Sequence, residues 1–234
     1  MTRRHLLAAL LGAVQPEAVC WLTLDLLHGT KTVHWPGYSQ PVSFGSLLKP
    51  FLALAFAATH STLPRVTCRG ERDGCWRTHG HGEQDVVEAL AHSCNAYFLR
   101  LGGLIDRAAL DATCLTYGLA LPARSLRPEE LIGLGSGWRN SPMAVAQAFA
   151  RLTDTTVLRG MAQCAASGTA KNVGLACYAK TGTAPCSHTP RASGDGYIAV
   201  LYPIGQPRKL LLLQHHGTTG AEACRDVRQR LDWR

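Results

Sequence analysis

Residues 46–61, SLLKPFLALAFAATHS, constrain the fold more than any other stretch of the chain. At 3.6 residues per turn the segment is apolar almost all round, the pattern of a helix in the middle of a domain rather than on its surface. Pro50 falls within its first turn or just past it, where a proline costs least. Lys49 is carried into the same apolar setting. The remaining segments must be layered around this helix.

Residues 18–35, AVCWLTLDLLHGTKTVHW, read as two β-strands joined at His28-Gly29, and Pro36, Gly37 and Pro41 then break regular structure. Residues 64–82, rich in Gly, Arg and Cys and without a period, are expected to form a loop. Residues 83–104 and 107–119 carry helical spacing, with Gly118 as a stop. The segment 140–152 opens with an Asn or Ser cap and a proline. After Gly168 the texture turns to strands at 173–183, 195–203 and 209–216, and a last helix is expected over 220–232. Strands, helices, strands and a helix in that order predict an α+β domain over 15–234. Its sheet part comes from 15–45 and 168–234, and a mostly helical part, 46–167, is inserted between them.

The chain has 234 residues, 46% hydrophobic and 17% charged, a composition that excludes a disordered, collagenous or coiled-coil protein. No run reaches the roughly 18 apolar residues of a membrane span. Thr2-Arg3-Arg4 precedes nine apolar or small residues, so residues 1–14 read either as an export signal or as a first amphipathic helix. Lys and Arg number 24 against 16 Asp and Glu, a net charge of +8 that admits nucleic acid, anionic lipid or an acidic substrate.

Three short motifs carry chemistry. In Ser46-Leu47-Leu48-Lys49, residues three apart share a helix face, so the Lys49 amine is expected to reach the Ser46 hydroxyl. A serine needs a base to become a nucleophile, and burial is what keeps a lysine neutral enough to serve. In Ser93-Cys94-Asn95, Ser93 is placed to relay a proton and Asn95 to orient Lys49. Lys180-Thr181-Gly182-Thr183 offers a cation, a hydroxyl and a glycine that permits close backbone approach. Each alone is common as a cap or a turn; their order along one chain is not.

With these motifs the chain resembles, from about residue 18 onward, the transpeptidase domain of penicillin-binding proteins, nearest the class B type. Cys68 to Phe98, Gly135-Ser136-Gly137 with Ser141-Pro142-Met143-Ala144, Gly168-Thr169-Ala170 and Asp195-Gly196-Tyr197 extend the likeness. The resemblance implies an antiparallel sheet flanked by helices with an inserted all-helical subdomain, as in β-lactamases and transpeptidases. It also implies a DD-transpeptidase or DD-carboxypeptidase that acts on D-Ala-D-Ala stem peptides of peptidoglycan and is acylated by β-lactams. Ser46 would be the nucleophile and Lys49 its base. Ser93 and Asn95 would form the second catalytic element and Lys180 the third, binding with Thr181 the terminal carboxylate of the stem peptide or the acid group of penicillin. Thr181, Gly182 and Thr183 would bind substrate, and the backbone N–H groups of Ser46 and Thr183 would form the oxyanion hole.

The resemblance implies no cofactor and an exported protein, in the periplasm or on the outer face of a bacterial cytoplasmic membrane, peripheral to that membrane at most. A glycan-polymerising or other cell-wall protein would be its partner. Family domains usually run longer between the second and third motifs, so a trimmed acceptor side is expected. The alternatives are a β-lactamase or a non-catalytic penicillin-binding scaffold. Class A β-lactamases need a water-priming glutamate; Glu129 and Glu130 stand on the right stretch, lack the expected Asn four residues later, and read as helix-start acids. Class D enzymes carry Val where Asn95 stands.

The basic residues are scattered, with Arg65, Arg69, Arg72 and Arg77 in one loop and Arg225, Arg228 and Arg230 in the last helix. Without aromatic interleaving they read as a solvated surface facing an anionic cell wall, with no nucleic-acid partner. Of the nine cysteines, Cys68 and Cys75 lie near His79 and His81. That grouping admits zinc, but the spacing is wider than usual; no metal is assigned, and a Cys68–Cys75 disulfide is the expectation for an exported chain. Cys94 is expected to be a small packing residue.

Overall fold

Alternation decides the first strand. In a computed structural model, which describes residues 18–186 and 194–231, β1 (Val19–Asp25) buries Cys20 and Leu22 while the residues between them are only partly covered. The signal-like reading of residues 1–14 lies outside the described residues. A turn through His28 and Gly29, the latter at φ +69°, returns the chain as β2 (Lys31–His34). Then β3 (Val42–Ser43) precedes a 3₁₀ turn over Gly45–Leu48 and α1 (Lys49–Ala57). The next elements are β4 (Val66–Cys68), β5 (Gly82–Gln84), α2 (Val86–Ala91), α3 (Asn95–Gly102), α4 (Arg107–Tyr117) and α5 (Pro128–Leu131). They are followed by β6 (Arg139–Asn140), α6 (Pro142–Ala150) and α7 (Thr155–Ala166), and then by β7 (Tyr178–Ala184), β8 (Asp195–Tyr202) and β9 (Lys209–His216). Two short helices, α8 (Gly220–Ala223) and α9 (Val227–Arg230), come last.

The five long strands form one antiparallel sheet in the order β2-β1-β9-β8-β7, so its two ends come from the two ends of the chain. This is the expected α+β architecture. Strands β8 and β9 read as nearly continuous apolar runs because both faces of the sheet are covered. Ala199, Leu201, Leu210 and Leu212 face the core that contains α1. Their neighbours Ile198, Val200, Leu211 and Leu213 face a second core with Cys164, Cys177 and Cys224. As the all-round apolar pattern requires, α1 is buried, and the Phe51 ring meets Tyr117 at 5.2 Å and Phe149 at 5.4 Å.

Four expectations about elements change. The loop over 64–82 contains a hairpin, because β4 and β5 pair with Cys68 opposite Gly82. The helix over 83–104 breaks into α2 and α3 at Ser93, whose φ of +52° no helix accommodates. The strand expected from 173 starts at Tyr178, after a 3₁₀ turn closed by Gly174 at φ +66°. The helix over 220–232 is interrupted by a 3₁₀ turn at Cys224–Asp226. In addition, α7, capped by the Asp154 side chain, is a helix that the sequence reading did not include.

Candidate active site

The nucleophile turn is fixed by glycines. Gly45 sits at φ +58°, and a Cβ there would lie 2.1 Å from the Thr183 carbonyl oxygen. Across the contact, a Cβ on Gly182 would lie 2.3 Å from Phe44 O, and one on Gly220 would lie 2.3 Å from Gly182 O. The 3₁₀ turn, β7 and α8 therefore press together backbone to backbone. Gly182 serves this packing and also lines the cleft. Ser46 lies on the 3₁₀ turn just before α1, with Lys49 as the first residue of the helix.

Lys49 is fully buried. Its Nζ donates to Asn95 Oδ1 at 2.6 Å and to Ser93 O at 2.9 Å, and lies 3.5 Å from Ser93 Oγ. The expected Ser46–Lys49 hydrogen bond is not formed, because the amine is turned toward these oxygens. Burial, and then the charge of Lys180, hold the Lys49 amine well below its ordinary pKa. A neutral amine has two N–H groups, which Asn95 and Ser93 O take up, and one lone pair left to accept a proton.

Lys180 is buried as well, and does not project as a free cation. Its Nζ donates to Ser93 Oγ and to Thr181 O, each at 2.9 Å, and burial pushes its pKa down to about 8. The Ser93 hydroxyl is thus bracketed by two lysines. Thr181 Oγ1 and Thr169 Oγ1 are 2.5 Å apart, and the Gly220 amide donates to Thr183 Oγ1 at 3.0 Å. The register of β7 against β8 sets the spacing of Lys180, Thr181 and Thr183.

These residues surround a cleft of about 360 Å³ lined by Ser46, Ser93, Asn95, Thr181, Gly182 and Thr183. Trp76 and Leu134, 56% and 44% exposed, also line it, with Thr169, Thr219 and Ala221, and stood outside the sequence assignment of site residues. The Trp76 indole donates to Ser93 O at 3.3 Å, the same carbonyl that Lys49 holds. An isolated Trp in a Gly- and Arg-rich segment was the available signal. Glu129 and Glu130 lie in the first turn of α5, where Glu130 accepts from the Arg127 amide, consistent with helix-start acids.

All nine cysteines are free, so the expected Cys68–Cys75 disulfide is not formed. Instead Cys68, Cys75, His81 and Cys94 bring their ligand atoms within 4.8 Å of one another, a donor set suited to zinc. Cys94, buried in the core as expected of a small packing residue, is one of this group, and His79 is not. The Cys94 thiol donates toward Cys75; with His81 this lowers the Cys75 pKa and, joined by burial, raises that of Cys94.

No family model matches the chain, and no curated protein matches it. Solved structures do. A chain of a peptidoglycan synthase complex that coordinates polymerization and crosslinking aligns with a TM-score of 0.71 at 16% identity, over 91% of this chain and 55% of that one. Pseudomonas aeruginosa penicillin-binding protein 2 aligns with a TM-score of 0.72 at 16% identity, over 92% of this chain and 74% of that one. The chain has the penicillin-binding protein transpeptidase fold. The transpeptidase domain of Burkholderia pseudomallei penicillin-binding protein 3 shares it, with a TM-score of 0.69 at 15% identity over 90% of this chain and 85% of that one. The chain spans little more than half the length of the synthase-complex protein. Within the transpeptidase fold, Ser46, Ser93 and Lys180 come together at one cleft although they lie far apart in sequence.

Proposed function

We propose that the chain is a serine acyltransferase that cleaves the D-Ala-D-Ala bond of peptidoglycan stem peptides and is acylated by β-lactams at Ser46. The carrying observation is the buried Lys49 amine, tied to Ser93 and Asn95, one helical turn from Ser46 at the edge of the cleft. Lys49 takes the Ser46 proton as Oγ bonds to the carbonyl carbon of the penultimate residue. The resulting oxyanion is held by the backbone N–H groups of Ser46 and Thr183, which the Gly45–Thr183 contact keeps side by side. Collapse breaks the peptide bond, and the proton on Lys49 reaches the leaving D-alanine amine through the Ser93 hydroxyl. Lys180 polarises that hydroxyl, and Thr181 with Thr183 takes the terminal carboxylate. Attack on the acyl-enzyme by an amine gives transpeptidation, and attack by water gives carboxypeptidation.

This assignment carries an extracytoplasmic bacterial location and a cell-wall partner, in keeping with a fold neighbour that works within a peptidoglycan synthase complex. No helix among the described residues is long and apolar enough to cross a membrane. Fluorescent penicillin should label the wild type and not Ser46→Ala, and equal labelling of both ends the assignment. An acyl-enzyme that persists for many minutes in intact-mass spectra is expected; rapid loss would favour the β-lactamase reading.

A further inference from the structure

Behind β7 the second core holds three buried thiols, Cys164, Cys177 and Cys224, and the proposed acyl transfer uses none of them. Cys164 reaches the wall of the cleft. Its Sγ lies 3.3 Å from Thr169 Oγ1, which in turn lies 2.5 Å from Thr181 Oγ1. Thr169 and Thr181 both line the cleft. The turn that carries Thr169 is fixed on two sides. Its amide donates to Ala91 O at the end of α2, and a Cβ on Gly168 would lie 2.2 Å from that same oxygen. On the other side the Gly168 and Ala170 amides both donate to Cys164 O, which ties the turn to α7.

The direction of these bonds follows from what each group can give and take. A hydroxyl has a single proton to donate and also accepts, an amide N–H only donates, and a thiol sulfur is a weak acceptor. At Thr183 the backbone settles the matter: the Gly220 amide donates to Oγ1, which leaves the hydroxyl proton for the cleft. Thr181 meets another hydroxyl instead, and such a pair can share a proton either way. If Thr181 donated inward, Thr169 would have to give its proton to the Cys164 sulfur, the poorer acceptor. If Cys164 donates to Thr169 and Thr169 to Thr181, each inner proton has an oxygen acceptor and the last proton points to the cleft. Bonds aligned in this way polarise one another, so the outermost hydroxyl is a better donor than an isolated one.

We propose that the buried Cys164 thiol and the Thr169 hydroxyl are positioning residues: they form a one-way hydrogen-bond chain that turns the Thr181 hydroxyl outward and so selects substrates with a free carboxylate over neutral ones. The chain moves no proton and makes no covalent bond; it sets the direction of the Thr181 donor before the ligand arrives. A carboxylate gains more from such a donor than an ester does, because hydrogen bonds to an ionised acceptor are roughly twice as strong as neutral ones. The selectivity rests on the proposed acyl transfer, whereas the chain itself does not. Cys177, buried in the same core, serves as the control.

The test compares benzylpenicillin with its methyl ester, which has the same ring system and no anionic group. Acylation of the full chain is followed by intact-mass spectrometry, and the acid-to-ester ratio of second-order rates separates the carboxylate interaction from general damage to the fold. Thr169→Val should lower that ratio about fivefold, and Thr169→Ser should restore it. Cys164→Ala should lower it about twofold, Cys164→Ser should keep it near the wild-type value, and Cys177→Ala should leave it unchanged. In the Thr169→Val background Cys164→Ala should add nothing, since the thiol acts only through Thr169. The inner link has its own signal: the S–H infrared band that disappears in Cys164→Ala should move to higher frequency in Thr169→Val as the donated bond is lost. Should Thr169→Val not fold, Thr169→Ala is read in the same way. Four results overturn the proposal: acid and ester slowed equally by Thr169→Val, an unmoved S–H band in that variant, a further drop in the ratio when Cys164→Ala is added to it, or a loss in Cys177→Ala equal to that in Cys164→Ala. If neither penicillin acylates the wild type, the acyl-transfer reading has failed, and the S–H band still decides the chain.

Discussion

The two walls of the cleft are built on different principles. On the sheet side, Lys180, Thr181 and Thr183 belong to β7, and their positions follow from its backbone ladder with β8. On the helix side, Ser93 and Asn95 occupy a break between α2 and α3, with Ser93 in the left-handed region and no ladder to support it. Side chains from elsewhere do that work: Lys49 and Trp76 hold the Ser93 carbonyl, and Lys180 reaches across from the sheet to its hydroxyl. A ladder distributes its support over many bonds, whereas a loop held by a few side chains loses its geometry when one of them goes. Substitutions on the two walls should therefore fail in different ways.

The largest effect is expected at Lys49, which serves the helix wall as both base and tether. Lys49→Met should keep the fold and slow penicillin acylation by roughly 10²–10⁴-fold in stopped-flow labelling. For the wild type, the neutral amine is the active form, so the rate should fall about tenfold per pH unit below the depressed Lys49 pKa. That acid limb should vanish in the variant.

On the sheet wall the failure should be one of stability. Gly182→Ala puts a methyl group 2.3 Å from Phe44 O, and denaturant unfolding should register a loss of about 3 kcal/mol. A smaller sheet effect involves His216 and Asp195, which are 2.9 Å apart. Hydrogen bonding to Asp195 raises the His216 pKa from 6.5 to about 10. Because the folded value lies above the unfolded one, the stabilisation is complete below about pH 6.5 and lost as pH rises through about 10. Asp195→Asn should cost about 2 kcal/mol at neutral pH, a deficit that shrinks above pH 10.

The smallest effect returns to the helix wall. Ser93→Gly and Ser93→Ala both remove the hydroxyl and should acylate slowly. The glycine variant should nevertheless be the more stable by about 1 kcal/mol in thermal unfolding, because only alanine meets the left-handed penalty. Equal stability of the two would mean that Ser93 is not strained.

The walls also differed in how far they could be read in advance. β8 and β9 stood out as apolar runs, and β7 was off only at its start, because strands buried on both faces declare themselves locally. The second motif was legible as residues but not as a shape. Residues 83–104 carry helical spacing throughout, and nothing local announces that Ser93 leaves the helix; contacts from Lys49, Trp76 and Lys180, all distant in sequence, impose it. The β4–β5 hairpin was hidden for a related reason, since strands of three residues are too short to show a period.

Sequence alone determined the buried helix, the two-ended sheet and the order of the three motifs, because periodicity and spacing are local quantities. Tertiary structure alone decided that Lys49 turns to Asn95 and Ser93 rather than to Ser46, that Lys180 is a buried donor, and that Trp76 borders the cleft. It also gathered Cys94 with Cys68, Cys75 and His81, where spacing had suggested His79 and a disulfide. Those outcomes depend on which side chains meet after the chain has closed on itself, and contacts between distant segments leave no period in the sequence.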